Sequence, residues 1–404
     1  MLIKLAKIRI NDFKSLLDLE LDFTGSLKVL VGQNGAGKSS ILQAIDFMRY
    51  FAEGRPEDFF SDRQWSTTHV KSFFSPRNTI SIECVFNTDN SSVLSWRFSW
   101  GLNTKRSVRE RVILCDRNQK RTLLSYDREP DGLLTVGRKK IATKFRFTGS
   151  VLAQLDFDPD LDTRSRQYLA ALRKWIQGIL SLELLSPAAM RLGSRGSKDF
   201  IGQRGQFLAS YLGKLKSNQK AQVARRLAGY YPPLRQLETT KKRAGWIALK
   251  VDEAYKSGRS LDSIGLSDGF LRLLAIALIP EFSQNASIVL LDEVENGIDT
   301  HVLPKIVSDL SDIGGVDILL TSHSPHFINL VDRGQVDLVV RRRSGSSVAV
   351  PISKIPELRK EFEFFGPGEI WGNFSGTRIF ELALRATQRT QKPVRRLVKP
   401  RNNQ

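Results

Sequence analysis

Apolar and polar positions alternate over Leu2–Ile10 and again over Leu16–Phe23, which predicts two strands joined near Asn11-Asp12 and followed by a turn at Thr24-Gly25-Ser26. Leu27–Val31 is a short apolar run expected to be a strand; after a glycine-rich loop, Ile41, Ile45 and Met48 recur at helical spacing on one face. From about Thr79 to Phe147 the pattern is mostly strand-like, through Ile80/Ile82, Val93 to Phe98 and Val112/Leu114. Helices are expected over about Arg164–Leu185 and Gln206–Gly229, with a Gly/Ser/Arg-rich loop between them and a return to strand over Tyr230–Lys250. A helix (Gly269–Ile279), an apolar strand (Ile288–Leu291), a helix (Val302–Leu310) and a strand (Asp317–Thr321) then alternate, and Val336–Val350 reads as a hairpin turning at Ser344-Gly345. There is no internal repeat and no long heptad array.

This order implies an α/β fold in four parts: an N-terminal lobe with the glycine-rich loop and a β-subdomain (1–150), a mainly helical insertion (151–250), a C-terminal lobe (251–350) and a C-terminal segment (351–404). Hydrophobic residues make up 41% and charged residues 26%, the balance of a folded, water-soluble chain. No apolar run approaches the roughly 18–20 residues that span a bilayer, and Lys4, Lys7 and Arg9 interrupt the first apolar stretch, so neither a membrane association nor a secretory leader is expected. Cys84 and Cys115 are too few for a disulfide framework and lack metal-ligand spacing, which fits a reducing, cytoplasmic setting.

The formal charge of +20 is unevenly placed. Between Thr163 and Lys250 there are 18 basic residues and three acidic ones (Glu183, Asp199, Glu238), and the last twenty residues hold seven cations, from Arg385 to Arg401, and no acid. Cations grouped in this way suit a polyanion, because neutralised phosphates release their counterions; the other reading is a solvated helical face.

Gly32-Gln33-Asn34-Gly35-Ala36-Gly37-Lys38-Ser39 fits the phosphate-loop pattern G-x-x-x-x-G-K-[ST] between a strand and a helix. Gly32, Gly35 and Gly37 let the backbone N–H groups, with those of Asn34 and Ser40, face phosphate oxygens; Lys38 reaches the β/γ-phosphates, and the Ser39 hydroxyl is a magnesium ligand. Ile288–Leu291 ends in Asp292 and Glu293, so Asp292 is expected on the metal side and Glu293 as the group that orients or deprotonates the attacking water. Leu266-Ser267-Asp268-Gly269 precedes a helix, where Ser267 is either a plain N-cap or, with the Gly269 N–H, part of an anion site. His323 follows an apolar strand, at the strand end where α/β sheets bind ligands.

In this order, the phosphate loop, Leu266-Ser267-Asp268-Gly269, Leu290-Leu291-Asp292-Glu293-Val294-Glu295-Asn296-Gly297 and Thr321-Ser322-His323-Ser324-Pro325 resemble the ABC-type ATPases of the RecF/SMC/OLD group, in particular their short AAA_21-like members. Ile10–Ser15 and Gly366–Trp371 agree with it. The resemblance implies an ABC-type P-loop ATPase head, with ATP and Mg²⁺ as cofactors. It also implies two heads that sandwich two nucleotides, so that Ser267 and Gly269 complete the site of the opposite copy. His323 would be the switch histidine, and Asp299 would stand in the inter-head loop. Asp268 stands where ABC transporters usually have Gly, as is common in this subgroup; the chain departs from many short members at Val294 and Asp299-Thr300, and Gln64 is a candidate for the glutamine loop, competing with a plain exposed loop residue.

Three functions compete. One is a nucleic-acid-associated ATPase whose ATP-driven closure alters its grip on DNA or RNA, through Thr163–Lys250 and the tail, in DNA metabolism or anti-phage defence. Another is a sensor or scaffold that holds and releases a separately encoded toxin or nuclease. A self-sufficient nuclease is disfavoured, because the acids after His323 are scattered and include no Asp-x-Asp pair to gather two metals. A transporter motor has no use for a basic insertion. A homodimer or higher homo-oligomer is expected in either leading case.

Overall fold

The computed structural model describes the chain except for residues 117, 118, 130, 131, 144, 155–160, 197, 198, 256–259, 359–365, 367, 368, 371–377, 379, 380 and 387–404. Nearly all of the basic tail, and Pro367, Gly368 and Trp371 of the Gly366–Trp371 stretch, thus lie outside the described residues.

The chain opens with β1 (Ile3–Asn11) and β2 (Leu19–Asp22), then β3 (Leu27–Val31), α1 (Lys38–Ala52) and α2 (Pro56–Arg63). Six strands follow: β4 (Thr79–Thr88), β5 (Val93–Gly101), β6 (Arg106–Asp116), β7 (Gln119–Asp127), β8 (Leu133–Val136) and β9 (Lys139–Ala142). Next come α3 (Val151–Gln154), α4 (Thr163–Gln177), β10 (Ile179–Ser181), α5 (Pro187–Arg191), α6 (Leu208–Lys214) and α7 (Ser217–Tyr230), then β11 (Leu234–Lys241), β12 (Ile247–Glu253) and β13 (Ser260–Asp262). The last part is α8 (Asp268–Phe282), β14 (Ile288–Leu291), α9 (Leu303–Ser311), β15 (Asp317–Ser322), α10 (Pro325–Asn329), β16 (Val336–Arg341) and β17 (Ser347–Pro351).

These strands form three sheets. An antiparallel sheet runs β2-β1-β4-β5-β6-β7-β8-β9, and a small one runs β11-β12-β13. The central sheet runs β10-β14-β15-β3-β16-β17; it is parallel except for β17, which closes one edge as a hairpin with β16.

The central sheet is apolar on both faces, as a parallel sheet covered on both sides must be. Leu30, Ile179, Ile288, Leu290, Leu319 and Val339 face one core, shared with α1 and the large antiparallel sheet. Their neighbours Val29, Val31, Val289, Leu291, Leu320 and Leu338 face a second core under α8 and α9. This position explains why α1 is buried all round: besides Ile41, Ile45 and Met48 it buries Leu42, Ala44, Phe47, Tyr50 and Phe51. A helix between two sheets has no solvent face.

The stretch 151–250 is mostly helical, and it also supplies β10 and the hairpin β11–β12. The helix expected to run to Leu185 stops at Gln177. Gly178 packs so closely on Ser287 that a Cβ there would lie 2.5 Å from its Oγ, and Ile179–Ser181 pair in parallel with Ile288–Leu290. The apolar run Ile179–Leu185 cannot by itself say whether it continues a helix or starts a buried strand; pairing with β14 decides it. Among the described residues, no helix is long and apolar enough to cross a membrane.

Candidate nucleotide site

In the central sheet β14, β15 and β3 are adjacent and parallel, so their C-terminal ends lie side by side. This topology alone brings Asp292-Glu293, His323 and the phosphate loop to one edge. A cleft of about 610 Å³ opens there, lined by Asn34, Gly35, Gly37, Lys38, Ser39 and Ser40, with Glu293 and His323 opposite. Its other walls come from Lys14 and Gln43, and from His69, Lys71, Phe73 and Phe74.

The loop's glycines are required by its surroundings. Gly35 and Gly37 have φ of 77° and 109°, in the left-handed region that side chains disfavour. A Cβ on Gly32 would lie 2.3 Å from the carbonyl oxygen of Val339, and one on Gly37 would lie 2.6 Å from Ser347 Oγ. Ser347 Oγ lies within hydrogen-bonding distance of the Ala36 carbonyl (2.6 Å) and of Ser15 Oγ (2.7 Å), bracing the loop from β17 and from the turn after β1. Lys38 donates to the carbonyls of Gly32 (2.9 Å) and Gln33 (3.1 Å). Burial lowers its pKa against the opposing charges of Asp292, Glu293 and Glu295.

Asp292 accepts a hydrogen bond from Thr321 Oγ1 at 2.5 Å, and Thr321 Oγ1 in turn accepts from the Glu293 N–H at 2.8 Å. One hydroxyl thus fixes both acids to the end of β15. Glu293 has φ of 45°, a strained conformation for a non-glycine residue that persists only where the surroundings impose it. Its Oε1 lies 3.7 Å from His323 Nε2. The donor set suits ATP and magnesium: Lys38 for phosphate, and the Ser39 hydroxyl and the Asp292 oxygen not engaged by Thr321 for a divalent cation. No group of three or more His, Cys, Asp or Glu side chains that could hold a metal by themselves occurs among the described residues.

Ser267, Gly269 and Asp299 do not line this cleft. Ser267 is exposed and caps α8, accepting from the Phe270 N–H at 3.2 Å. Gly269 abuts the loop that follows the acidic pair, where a Cβ would lie 2.4 Å from the Gly297 carbonyl oxygen. Asp299, also exposed, caps the turn Thr300–Val302 through the His301 N–H at 3.0 Å. Gln64 is exposed at the end of α2 with φ of 56° and does not line the cleft.

Two groups of residues escaped the sequence reading. Glu295 Oε1 accepts from Ser322 Oγ (3.0 Å) and from the N–H groups of His323 (2.5 Å) and Ser324 (3.1 Å), gathering the histidine loop onto the acidic loop. The spacing Asp-Glu-x-Glu was the available signal. The other group is a buried polar chain: Lys14 donates to Gln43 (2.7 Å), Gln43 to Glu183 at the end of β10 (2.6 Å), and Arg63 to both Glu183 and Asp46 (2.7 Å each). Its members are scattered along the chain from residue 14 to 183, and no local pattern connects them.

The architecture is that of a P-loop ATPase head. It is similar to an Smc head bound to the C-winged helix domain of ScpA, with a TM-score of 0.52 and 13% identity over 86% of this chain and 97% of that one. It is equally similar to an Smc head with an extended coiled coil, bound to a ScpA C-terminal domain and derived from Pyrococcus furiosus, with a TM-score of 0.53 and 11% identity over 90% and 100%. At such identity these likenesses speak for the fold.

Residues 27–329 match the family model AAA_21, described as "AAA domain, putative AbiEii toxin, Type IV TA system". The chain belongs to that family, within the RecF/SMC group of ABC-type ATPases. Two DNA replication and repair proteins RecF from strains of Lactococcus lactis subsp. cremoris are 35% identical over 68 residues and 44% over 45 residues. Those stretches cover 17% and 11% of this chain, and 19% and 12% of the relatives' own lengths.

Proposed function

We propose that this protein hydrolyses ATP at composite sites between two copies, and that closure around ATP changes its grip on nucleic acid. The observation that carries the reading is the division of the family's motifs. Lys38, Ser39, Glu293 and His323 line one cleft, with Asp292 close enough to act on Lys38 by its charge, while Ser267 and Asp299 are exposed and Gly269 half-buried outside it. A capped helix start bearing an exposed serine is half of an anion site, and a second copy is the natural supplier of the phosphate.

Magnesium bound with ATP neutralises β/γ-phosphate charge, with Ser39 and Asp292 the residues that would hold it. Lys38 holds the phosphates and Glu293 orients the attacking water. His323, kept beside Glu293 by Glu295, fixes the geometry on that side. The nucleic-acid part is supported by the 18 cations against three acids in Thr163–Lys250 and by the name of the RecF relatives. The second reading, a head that holds an effector protein, draws on the family's toxin–antitoxin description and on Smc heads solved with ScpA bound.

The test mixes two inactive chains. Ser267→Arg and Lys38→Ala should each fail alone. Their heterodimer has one site damaged twice and one intact, so mixing should restore part of the steady-state phosphate release, in a concentration-dependent way. A Ser267→Arg protein that turns over at the wild-type rate would eliminate the composite site.

A further inference from the structure

A second cavity, of about 690 Å³, lies away from the nucleotide cleft, between the β11–β12 hairpin tip, the segment after α5 and the segment after β13. Its lining includes three large apolar side chains left open to solvent: Leu192 (66% exposed), Trp246 (46%) and Ile264 (74%). Three consecutive exposed cations of the hairpin tip, Lys241, Lys242 and Arg243, line the same cavity, and none forms an ion pair among the described residues. Asp262 is the one acid in the lining.

The walls are held by the backbone. Ser194 and Ile247 exchange N–H···O bonds of 2.9 Å in both directions, pinning the hairpin to the segment after α5. The tip is closed by the Lys242 N–H on the Trp246 carbonyl (2.7 Å), with Ala244 and Gly245 successively at φ of 58° and 76°. The cavity therefore exists before any ligand arrives.

Apolar groups and an aromatic ring beside a tip of three unpaired cations make two complementary halves: the ring and aliphatic groups take a flat, weakly polar body, and the cations take the anions attached to it. A nucleotide in a single strand has that form, a base between two phosphates. In a duplex the bases are stacked inside and cannot enter such a cavity. An acidic peptide with an apolar anchor offers similar chemistry locally, but the segment Thr163–Lys250, which supplies most of the lining, carries 18 cations against three acids along its sequence, a balance suited to a polyanion with a charge at every unit.

We propose that this cavity captures an unpaired base of a single nucleic-acid strand, with Trp246 as the stacking platform and Lys241, Lys242 and Arg243 on the flanking phosphates. This rests on the nucleic-acid reading above and sharpens it from polyanion to single strand. The site also adjoins the signature: Ser263, in its wall, donates to the Arg191 carbonyl (2.6 Å), and Arg191 donates to the Leu266 carbonyl (2.9 Å) and pairs with Asp268.

The test is fluorescence anisotropy at low salt with the full chain. The probes are a labelled oligothymidylate, an abasic strand of equal length and a duplex. Trp246→Ala should weaken oligothymidylate binding about tenfold or more, the usual loss of one base–aromatic stack, and leave duplex binding within about twofold. Trp246→Phe, which keeps a ring, should restore most of the affinity. The wild type should bind the abasic strand about as weakly as Trp246→Ala binds thymidylate, an arm that needs no mutant to fold. Equal losses on strand and duplex, or equal affinity for thymidylate and abasic strands, would overturn the proposal while leaving general nucleic-acid binding intact. Absence of binding to all three probes would overturn the underlying reading first. Trp246-dependent binding of an acidic, leucine-bearing peptide in its place would assign the cavity to a protein.

Discussion

Around the phosphate loop the acidic pair, the histidine loop and the glycines are each held by a further polar group, whereas outside the cleft the Ser267 hydroxyl makes only its capping bond among the described residues. In the cleft, Thr321 fixes Asp292 and Glu293, Glu295 gathers the loop bearing His323, and Ser15 and Ser347 brace the glycines. Outside the cleft the Asp268 side chain is 64% exposed, its partner Arg191 is held in turn by the Leu266 carbonyl, and Asp299 caps only a short turn. A site prepared for transition-state chemistry needs its first contacts held rigid by a second layer. The cleft has that layer around its acidic pair and histidine; outside it the Ser263–Arg191 contacts reach the Leu266 carbonyl and Asp268 but not the Ser267 hydroxyl.

The sharpest way to break this comparison is to alter the cleft itself. Lys38→Ala should abolish tight ATP binding, because Lys38 meets phosphate in the ground state. Glu293→Gln should bind ATP normally and lose about 10²–10⁴-fold in turnover, since the carboxylate acts only during attack on water. Nucleotide binding by filtration and single-turnover hydrolysis separate the two. Normal turnover in Glu293→Gln would remove the carboxylate from the mechanism.

The next effect is on stability. Lys28 of β3 and Asp337 of β16 form a buried ion pair of 2.9 Å, with side chains 4% and 1% exposed, joining the strand that leads into the phosphate loop to its neighbour. Burial pushes the Asp337 pKa up, and Lys28 pulls it back. Asp337→Leu leaves an uncompensated cation in the core, with an expected loss of about 3–5 kcal/mol, whereas Lys28→Met with Asp337→Leu should recover most of it. Asp268→Ala, which removes the exposed carboxylate from its pair with Arg191 and leaves that arginine's bond to the Leu266 carbonyl, should cost about 0–1 kcal/mol. Urea unfolding of the four proteins compares the two regions directly; equal losses would erase the contrast.

Much of this was legible in the sequence because the chemistry sits at strand ends. The period-two and apolar runs located β3, β14 and β15, and a parallel sheet necessarily aligns their C-terminal ends, so Lys38, Asp292, Glu293 and His323 could be placed before any coordinates. What escaped was tertiary. Ile179–Ser181 was absorbed into a helix because a fully buried strand and a helix share one apolar pattern over so few residues. Glu183, standing at its end, was counted only as one of three acids in a basic segment. Ser347, 308 residues after Ser39, touches the loop through a hairpin whose register no local pattern specifies.

Glu295 extends the same contrast to a smaller effect. Its carboxylate receives three hydrogen bonds from the His323 loop, while its Oε2 is buried with no hydrogen-bond partner among the described residues. Glu295→Ala removes the clasp, and hydrogen bonds to a charged acceptor are worth about 1.5–3 kcal/mol each. Turnover should fall about ten- to hundredfold with a smaller change in ATP affinity, because His323 would be displaced while Lys38 keeps the Gly32 and Gln33 carbonyls and the charges of Asp292 and Glu293. Glu295→Gln, which keeps an acceptor oxygen, should recover part of the rate. A proportionate rise in KM with kcat unchanged would show that Glu295 supports binding, not the His323 geometry.

The smallest effect is electrostatic and comes from the polar chain at the cleft's far wall. Lys14 lies 4.0 Å from the centroid of the Trp65 ring and donates to Gln43. Burial pushes its pKa down to about 8; Glu183 opposes that shift and Arg63 adds to it. In the free protein the sign is fixed: a lysine whose folded pKa lies below its unfolded value destabilises the fold while it must stay charged, so this contribution to stability rises as pH climbs from about 8 toward 10.5. ATP affinity should move the opposite way. A bound phosphate favours the ammonium form, so binding above about pH 8 must take up a proton, and the dissociation constant should rise by up to about tenfold per pH unit. Lys14→Met should bind ATP several-fold more weakly at neutral pH and lose most of the slope between about pH 7 and 9.5. His69, Lys71 and Arg341 also face the cleft, and burial lowers the Lys38 pKa as well. A slope that persists in Lys14→Met therefore assigns the titration to Lys38, leaving Lys14 as a structural member of the Gln43–Glu183–Arg63 chain.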